Sequence, residues 1–341
     1  MLKENQKNAV IGTSRRDFIY QSSLAVIGVL ASGKVAYANS PTWIKGSGFS
    51  KIKGVQVGAI TYSFRGMPDS PADLIKYCLE ANISDIELMG DSIEIYAGAP
   101  KNPISYGSYR RREWTDEMKA QATAYKEALT NWRQTASMEK FKEVHDLFKK
   151  AGINIYAYKP NALGTSNTDA EIIFALKSAK TLGANSVTVE LPEDASHTQR
   201  LGDLGEKYGI YIGYHAHLQA TDTAWDEALG QSSFNTMNLD CGHYIAVGGD
   251  NTKESLLALI EAKHDRISSM HIKDRKNKEG EGKNMPWGQG DTPLKEILTL
   301  LKTKKYPIPA TIEMEYTVPE GSNAVVETGK CWKYAKAILE G

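Results

Sequence analysis

Eight short β-rich runs, separated by stretches patterned as helices, recur between residues 55 and 315, and that alternation leaves few folds open. The runs are Val55–Tyr62, Asp85–Met89, Ile153–Lys159, Ser186–Leu191, Ile210–His217, Thr236–Asp240, Ile267–Ile272 and Ala310–Glu315. Helix-length segments lie between them, among them Pro71–Ala81, Phe141–Ala151, Glu171–Leu182, Lys253–Lys263 and Leu294–Lys302. The pairs Ala151-Gly152 and Tyr208-Gly209 mark helix ends. Eight β units alternating with helices predict an α/β chain folded as a single (β/α)₈ barrel. The rival, an open doubly wound sheet, would want a Gly-x-Gly-x-x-Gly turn after its first strand, and none is there.

The spacing is uneven in one place: residues 90–137 form a long insertion after the second strand. Tyr96, Tyr106, Tyr109, Arg110, Arg111, Arg112 and Trp114 fall within it, followed by a helix-like stretch to Ser137. An insertion with a solvated basic face is one reading. A lid over the barrel mouth is the other. It is favoured because βα loops lie on the catalytic face and aromatics interleaved with arginines suit sugar stacking.

Residues 14–19 read Ser-Arg-Arg-Asp-Phe-Ile and resemble a twin-arginine export signal. A modestly apolar run, Ser22–Ala31, follows, and Ala36-Tyr37-Ala38 offers a cleavage site. The reading is a signal peptide at 1–38 and a barrel at 39–341, delivered to the periplasm by the twin-arginine machinery. The apolar run is too short for a permanent membrane anchor. Lys+Arg and Asp+Glu both number 41. Removing 1–38 takes away Lys3, Lys7, Arg15, Arg16 and Lys34 against Glu4 and Asp17, leaving a formal charge of −3. That balance argues against a nucleic-acid partner. Cys78, Cys241 and Cys331 are too few and too scattered for a disulfide framework or a thiolate zinc site.

In a barrel, polar residues at the C-terminal strand ends converge on one site. Here they are Glu190, His215, His217, Asp240, His243, His271, Lys273, Asp274, Arg275, Glu313 and Glu315. A lone strand-end Asp or His is usually a cap. Several on different strands point to one divalent cation held by imidazole and carboxylate: Mn²⁺, Co²⁺, Mg²⁺ or Zn²⁺, with manganese favoured. Cys241 reads as a small buried residue beside Asp240. One of His215 and His217 can equally be a neutral packing residue.

These residues carry a resemblance. Glu190 in TVELP, Asp240 and His243 in LDCGHY, His271 in MHIKDR, Pro286-Trp-Gly-Gln-Gly290 and Glu313 in ATIEMEY resemble the xylose-isomerase-like sugar isomerase/epimerase superfamily. The likeness runs over about Val55–Lys333. It implies a metal held by Glu190, Asp240, His271 and Glu313, with the two glutamates as the proton-transfer pair. It also implies a substrate-contacting His243 and an arginine past the metal histidine, for which Arg275 is the nearest candidate. Glu315 stays open as an alternative to Glu313, since both face the same way on a strand. His215, His217, Lys273 and Trp287 complete the expected substrate-binding set.

The chemistry expected is proton removal next to the carbonyl of a keto-sugar. One carboxylate abstracts, an acid on the other face returns the proton, and a cation stabilises the enediolate. A 3-keto-glycoside lyase or hydratase would share the first half-reaction. An endonuclease IV-like nuclease and a non-catalytic sugar-binding barrel fit less well, and homo-oligomerisation stays open. For export, changing Arg15 and Arg16 together to Lys should hold the precursor in the cytoplasm. Mature protein accumulating outside the inner membrane at normal levels would overturn the export reading.

Overall fold

The structure is a computed structural model that describes residues 48–104 and 114–341. The expected signal peptide and the Tyr106, Tyr109, Arg110–Arg112 cluster lie outside the described residues. Eight parallel strands close on themselves: β1 (Val55–Ile60), β2 (Asp85–Met89), β3 (Asn154–Lys159), β4 (Ser186–Glu190), β5 (Tyr211–His215), β6 (Asn235–Asp240), β7 (Ile267–Ile272) and β8 (Ala310–Ile312). Each pairs with its neighbour in chain order, and β1 pairs with both β2 and β8 to seal the barrel. A two-residue strand, Lys51–Ile52, runs antiparallel to β1.

Helices fill the connections: α1 (Pro71–Glu80), α2 (Gly90–Tyr96), α3 (Asp116–Thr135), α4 (Glu139–Lys150), α5 (Asp169–Thr181), α6 (Ala195–Tyr208), α7 (Asp226–Gln231), α8 (Cys241–Val247), α9 (Lys253–Lys263), α10 (Leu294–Lys304) and α11 (Ala324–Glu340). Their ends follow local chemistry. Thr168 and Glu171 make a reciprocal capping box at the start of α5. Gly152 and Gly209, at φ 76° and 69°, reverse the chain into β3 and β5, a conformation that a residue without a Cβ takes up at no steric cost.

The strands carry two different chemistries on their two faces. One set of alternate residues, including Ile86, Leu88, Ile155, Val187, Ile212, Tyr214, Met237, Leu239, Met270 and Ile272, is buried with α4 residues Phe141, Val144 and Phe148 in one apolar core. The intervening residues bond to one another inside the barrel. Glu87 of β2 meets Thr188 of β4, Asn238 of β6 and His271 of β7. The pleat, which points successive side chains to opposite faces, produces this division.

The long insertion is pinned to the outer layer. Arg133, near the end of α3, is buried and donates to Glu94 of α2 (Nη2 to Oε2 3.0 Å) and to Glu171 of α5 (Nη1 to Oε1 3.3 Å). Glu171 also accepts from Thr130, Asn167 and Thr168. Two buried carboxylates thus share one guanidinium. Arg133→Met should lower stability by about 3–5 kcal/mol, the scale of stranding a buried charge. Urea unfolding would read this, and a loss below about 1 kcal/mol would contradict the buried triad.

Candidate active site

Strand β6 delivers Asp240 to the barrel mouth, where it also caps helix α8. Its Oδ1 accepts the His243 N–H at 2.7 Å. That leaves Oδ2 turned into the barrel, buried and without a hydrogen bond of good geometry, although Lys273 Nζ lies 2.9 Å away. Gly242 between them is a close approach: a Cβ there would lie 2.4 Å from Lys273 Cγ and 2.9 Å from the Lys273 carbonyl oxygen. The Asp-x-Gly-His run thus supplies a cap, a gap for the chain leaving β7, and a histidine on the rim.

Two imidazoles converge on Asp240. His215 Nε2 lies 3.6 Å from Oδ2 and His271 Nδ1 3.9 Å. His215, Asp240 and His271 form one of two groups of potential ligand atoms within 4.8 Å of one another among the described residues; His215, His217 and His243 form the other. Glu313, one residue past β8, accepts from or faces His271 Nδ1 at 2.9 Å and Lys273 Nζ at 2.7 Å. Its backbone N–H still bonds to Ile272, which holds it in line with the ladder. Glu315 pairs with Lys273 at 2.7 Å.

Glu190 belongs to neither group, although it pairs with a member of the second. Its Oε1 pairs with Lys159 at 3.0 Å and its Oε2 with His217 Nδ1 at 2.9 Å, and its side chain is 49% exposed against 8% for Glu313. The structure therefore brings together Asp240, His271 and Glu313 of the expected ligand set. It places His215, expected to bind substrate, where a ligand would sit.

The rim is built from His217, His243 and Arg275. The His217 ring packs edge-on to His215 and His243, with centroids 4.7 and 4.4 Å apart. Arg275 donates through Nη1 to His243 Nδ1 at 2.5 Å and is held by the Gly282 carbonyl. Asp274 turns away and gathers the loop 286–292, accepting backbone N–H groups from Gly288, Gln289, Gly290 and Thr292. That accounts for Gly290 of the Pro286–Gly290 motif: a Cβ there would lie 2.1 Å from Asp274 Oδ1. Trp287 on this loop packs edge-to-face on Tyr334 of α11.

The electrostatics follow from burial and neighbours. Burial, with Lys159 and His271 nearby, pushes the His215 imidazolium down to about 3, so the ring is neutral. Burial, Lys273 and Arg275 push His243 down to about 2. For His271 burial works the same way, but Glu87 and Glu313 outweigh it and raise it to about 10. Burial opposes ionisation of Glu313 and Glu87, yet Lys273 and His271 hold the first, and His271 the second, below the usual carboxylate range. Glu190 is likewise lowered, burial being overcome by His217 and Lys159.

Sequence reasoning passed over Glu87, Lys159 and Asn238. The signal was the two-residue period: Glu87 stands between Ile86 and Leu88, and Asn238 two residues before Asp240.

A closed eight-stranded barrel with histidines and carboxylates gathered at the C-terminal ends of its strands defines a class, and the comparisons narrow it. A family model described as xylose isomerase-like TIM barrel matches residues 91–333, and the chain belongs to that family. Among solved structures, a probable 3-DHS dehydratase from Bacillus anthracis shares 15% identity at a TM-score of 0.56, covering 82% of this chain and 98% of its own. D-Psicose 3-epimerase from Clostridium cellulolyticum gives 13% and 0.53, covering 84% and 97%. 3-Keto-D-glucoside 4-epimerase from E. coli gives 12% and 0.53, covering 84% and 99%. At these identities the likeness is one of fold. No curated protein matches the chain by sequence.

Gly242→Ala should crowd Lys273 and lower stability by about 1–3 kcal/mol, the usual range for overpacking. Denaturant unfolding would measure it, and a variant as stable as the parent would show that the β7 exit is free to move.

Proposed function

We propose that this protein is a divalent-metal-dependent enzyme acting on a keto-sugar, which it isomerises or epimerises by moving a proton at the carbon next to the carbonyl. The observation that carries the proposal is the convergence of His215 Nε2, Asp240 Oδ2 and His271 Nδ1 on one point, with Asp240 Oδ2 lacking a hydrogen bond. The donor set fits a cation of the Mn²⁺, Co²⁺ or Zn²⁺ kind. The charge fits too. Glu87, Asp240, Glu313 and Glu315 set four carboxylates against Lys273 and a protonated His271. In the absence of a cation, His271 keeps a proton between Glu87 and Glu313.

His215, Asp240, His271 and Glu313 would hold the ion, which when bound polarises a carbonyl. The remaining work falls to side chains. Glu190 is ionised and accessible, held by Lys159 and His217, so it can take a proton from a carbon acid above the mouth. Neutral His243, whose Nδ1 accepts from Arg275, carries its proton on Nε2 and can donate to a sugar hydroxyl. Glu313, on the opposite side of the ring of strands, is the candidate to handle the proton on the other face. The solved relatives, by their titles, include epimerases of a ketose and of a keto-glucoside, and they support this substrate class.

Asp240→Ala should yield a folded protein with little bound metal by elemental analysis; full occupancy would remove the metal from the proposal. Against a panel of ketoses and 3-keto-glycosides, turnover in D₂O should place deuterium at the carbon next to the carbonyl. Glu190→Gln and Glu313→Gln should each lose at least about 100-fold in rate, and only one should retain exchange. Verified turnover without label would point to hydride shift. An eliminated product in place of an epimer would move the reading to a lyase sharing the same first step.

A further inference from the structure

Beneath the mouth lies a layer that the proposed reaction leaves unused: Glu87, Thr188, Asn238 and Ser269, from four different strands and all fully buried. We infer that Asn238, itself held by Glu87, is a positioning residue that sets the tautomer of His215, so that this ring turns its Nε2 lone pair toward Asp240, while Glu87 anchors the Nε2–H of His271.

The bonding permits one arrangement. Both hydrogens of the Asn238 amide are committed through Nδ2, to Glu87 Oε2 at 3.2 Å and Ser269 Oγ at 2.7 Å. Asn238 Oδ1 must then face the other way, where His215 Nδ1 lies 2.8 Å off. A carbonyl oxygen only accepts, so Nδ1 carries the hydrogen and Nε2 keeps its lone pair. Left to Asp240 alone, the ring would be drawn the opposite way, because a carboxylate prefers an N–H to a lone pair. The Asn238 carbonyl opposes that preference.

Glu87 anchors the second ring. Its Oε1 accepts from Thr188 Oγ1 at 2.6 Å, and its Oε2 accepts from His271 Nε2 at 2.8 Å as well as from Asn238. An ionised carboxylate offers no hydrogen, so His271 Nε2 carries one toward Glu87, and in the cation-free protein Nδ1 carries a second toward Glu313; with Nε2–H held by Glu87, Nδ1 is the nitrogen left to face a cation beside Asp240. One carboxylate thus orients one ring directly and the other through an amide. Partners of this kind behind a ligating histidine fix its orientation and raise its basicity.

The His215 tautomer stands on the hydrogen bonds alone; its effect on affinity rests on the metal reading above, and the experiment separates the two. Nitrogen-15 spectra of the unsubstituted, metal-free protein should show the His215 proton on Nδ1; a proton on Nε2 would overturn the inference, and this measurement needs no variant to fold. Asn238→Leu, close in size, should transfer that proton to Nε2. It should also weaken Co²⁺ binding, followed by competition with a chromophoric chelator, by about 10- to 100-fold. Glu87→Gln, whose amide oxygen can still face His271 while its nitrogen donates to Thr188, should retain more affinity than Glu87→Met. An Asn238→Leu protein with unchanged tautomer and unchanged Co²⁺ affinity would overturn the inference. If the tautomer moves as expected but the unsubstituted protein binds no Co²⁺, the tautomer assignment stands and the metal reading falls.

Discussion

Negative charge confined inside a closed barrel is the constraint around which the rest of this molecule is arranged. Glu87, Asp240 and Glu313 are buried, and each would be strongly disfavoured there without a partner. Lys273 reaches Asp240, Glu313 and Glu315 from β7, and His271 stands between Glu87 and Glu313. The missing side chain at Gly242 lets the Lys273 segment come close enough to serve. Asp240 gives one oxygen to the start of α8 and keeps the other for the interior. The same residues that balance charge therefore also fix the geometry of the mouth.

The fold was legible because its strands are apolar on the face turned to the helices. Runs such as INIYAYK and SVTVEL stand out between helical stretches, and seven of the eight predicted strands end within two residues of where they were placed. The exception is the eighth, expected to reach Glu315. The ladder stops at Ile312, yet the Glu313 N–H still bonds to Ile272, so the side chain stays where a strand residue would. The insertion after β2 was legible as a break in spacing. Its anchorage was not, because Glu94, Arg133 and Glu171 are scattered along the chain and meet only through packing of α2, α3 and α5.

The site was legible in its members more than in their roles. Asp240, His271 and Glu313 were recognisable as polar residues at strand ends, and they meet as expected. Glu190 and His215 lie on adjacent strands and face each other in register, so sequence pattern alone gives no measure of which leans toward the axis. In the structure His215 is buried against Asn238 and Glu190 is drawn to the rim by Lys159 and His217. Trp287, expected beside substrate, packs on α11, while its loop is organised by the carboxylate of Asp274.

The division of labour between the two faces of each strand has an evolutionary consequence. Side chains that hold the barrel to its helices and side chains that do chemistry alternate along the same few residues, yet they scarcely touch. Drift among interior residues can retune acidity, donor set or substrate without unseating a helix, and drift among exterior residues can reshape the packing without altering the reaction. Length changes have no such freedom. One residue inserted within β6 would carry Leu239 into the charged interior and Asp240 into the apolar layer beneath α6 and α7. Lineages of this protein should accept substitutions in the barrel that keep its buried charges partnered, and insertions only between its strands.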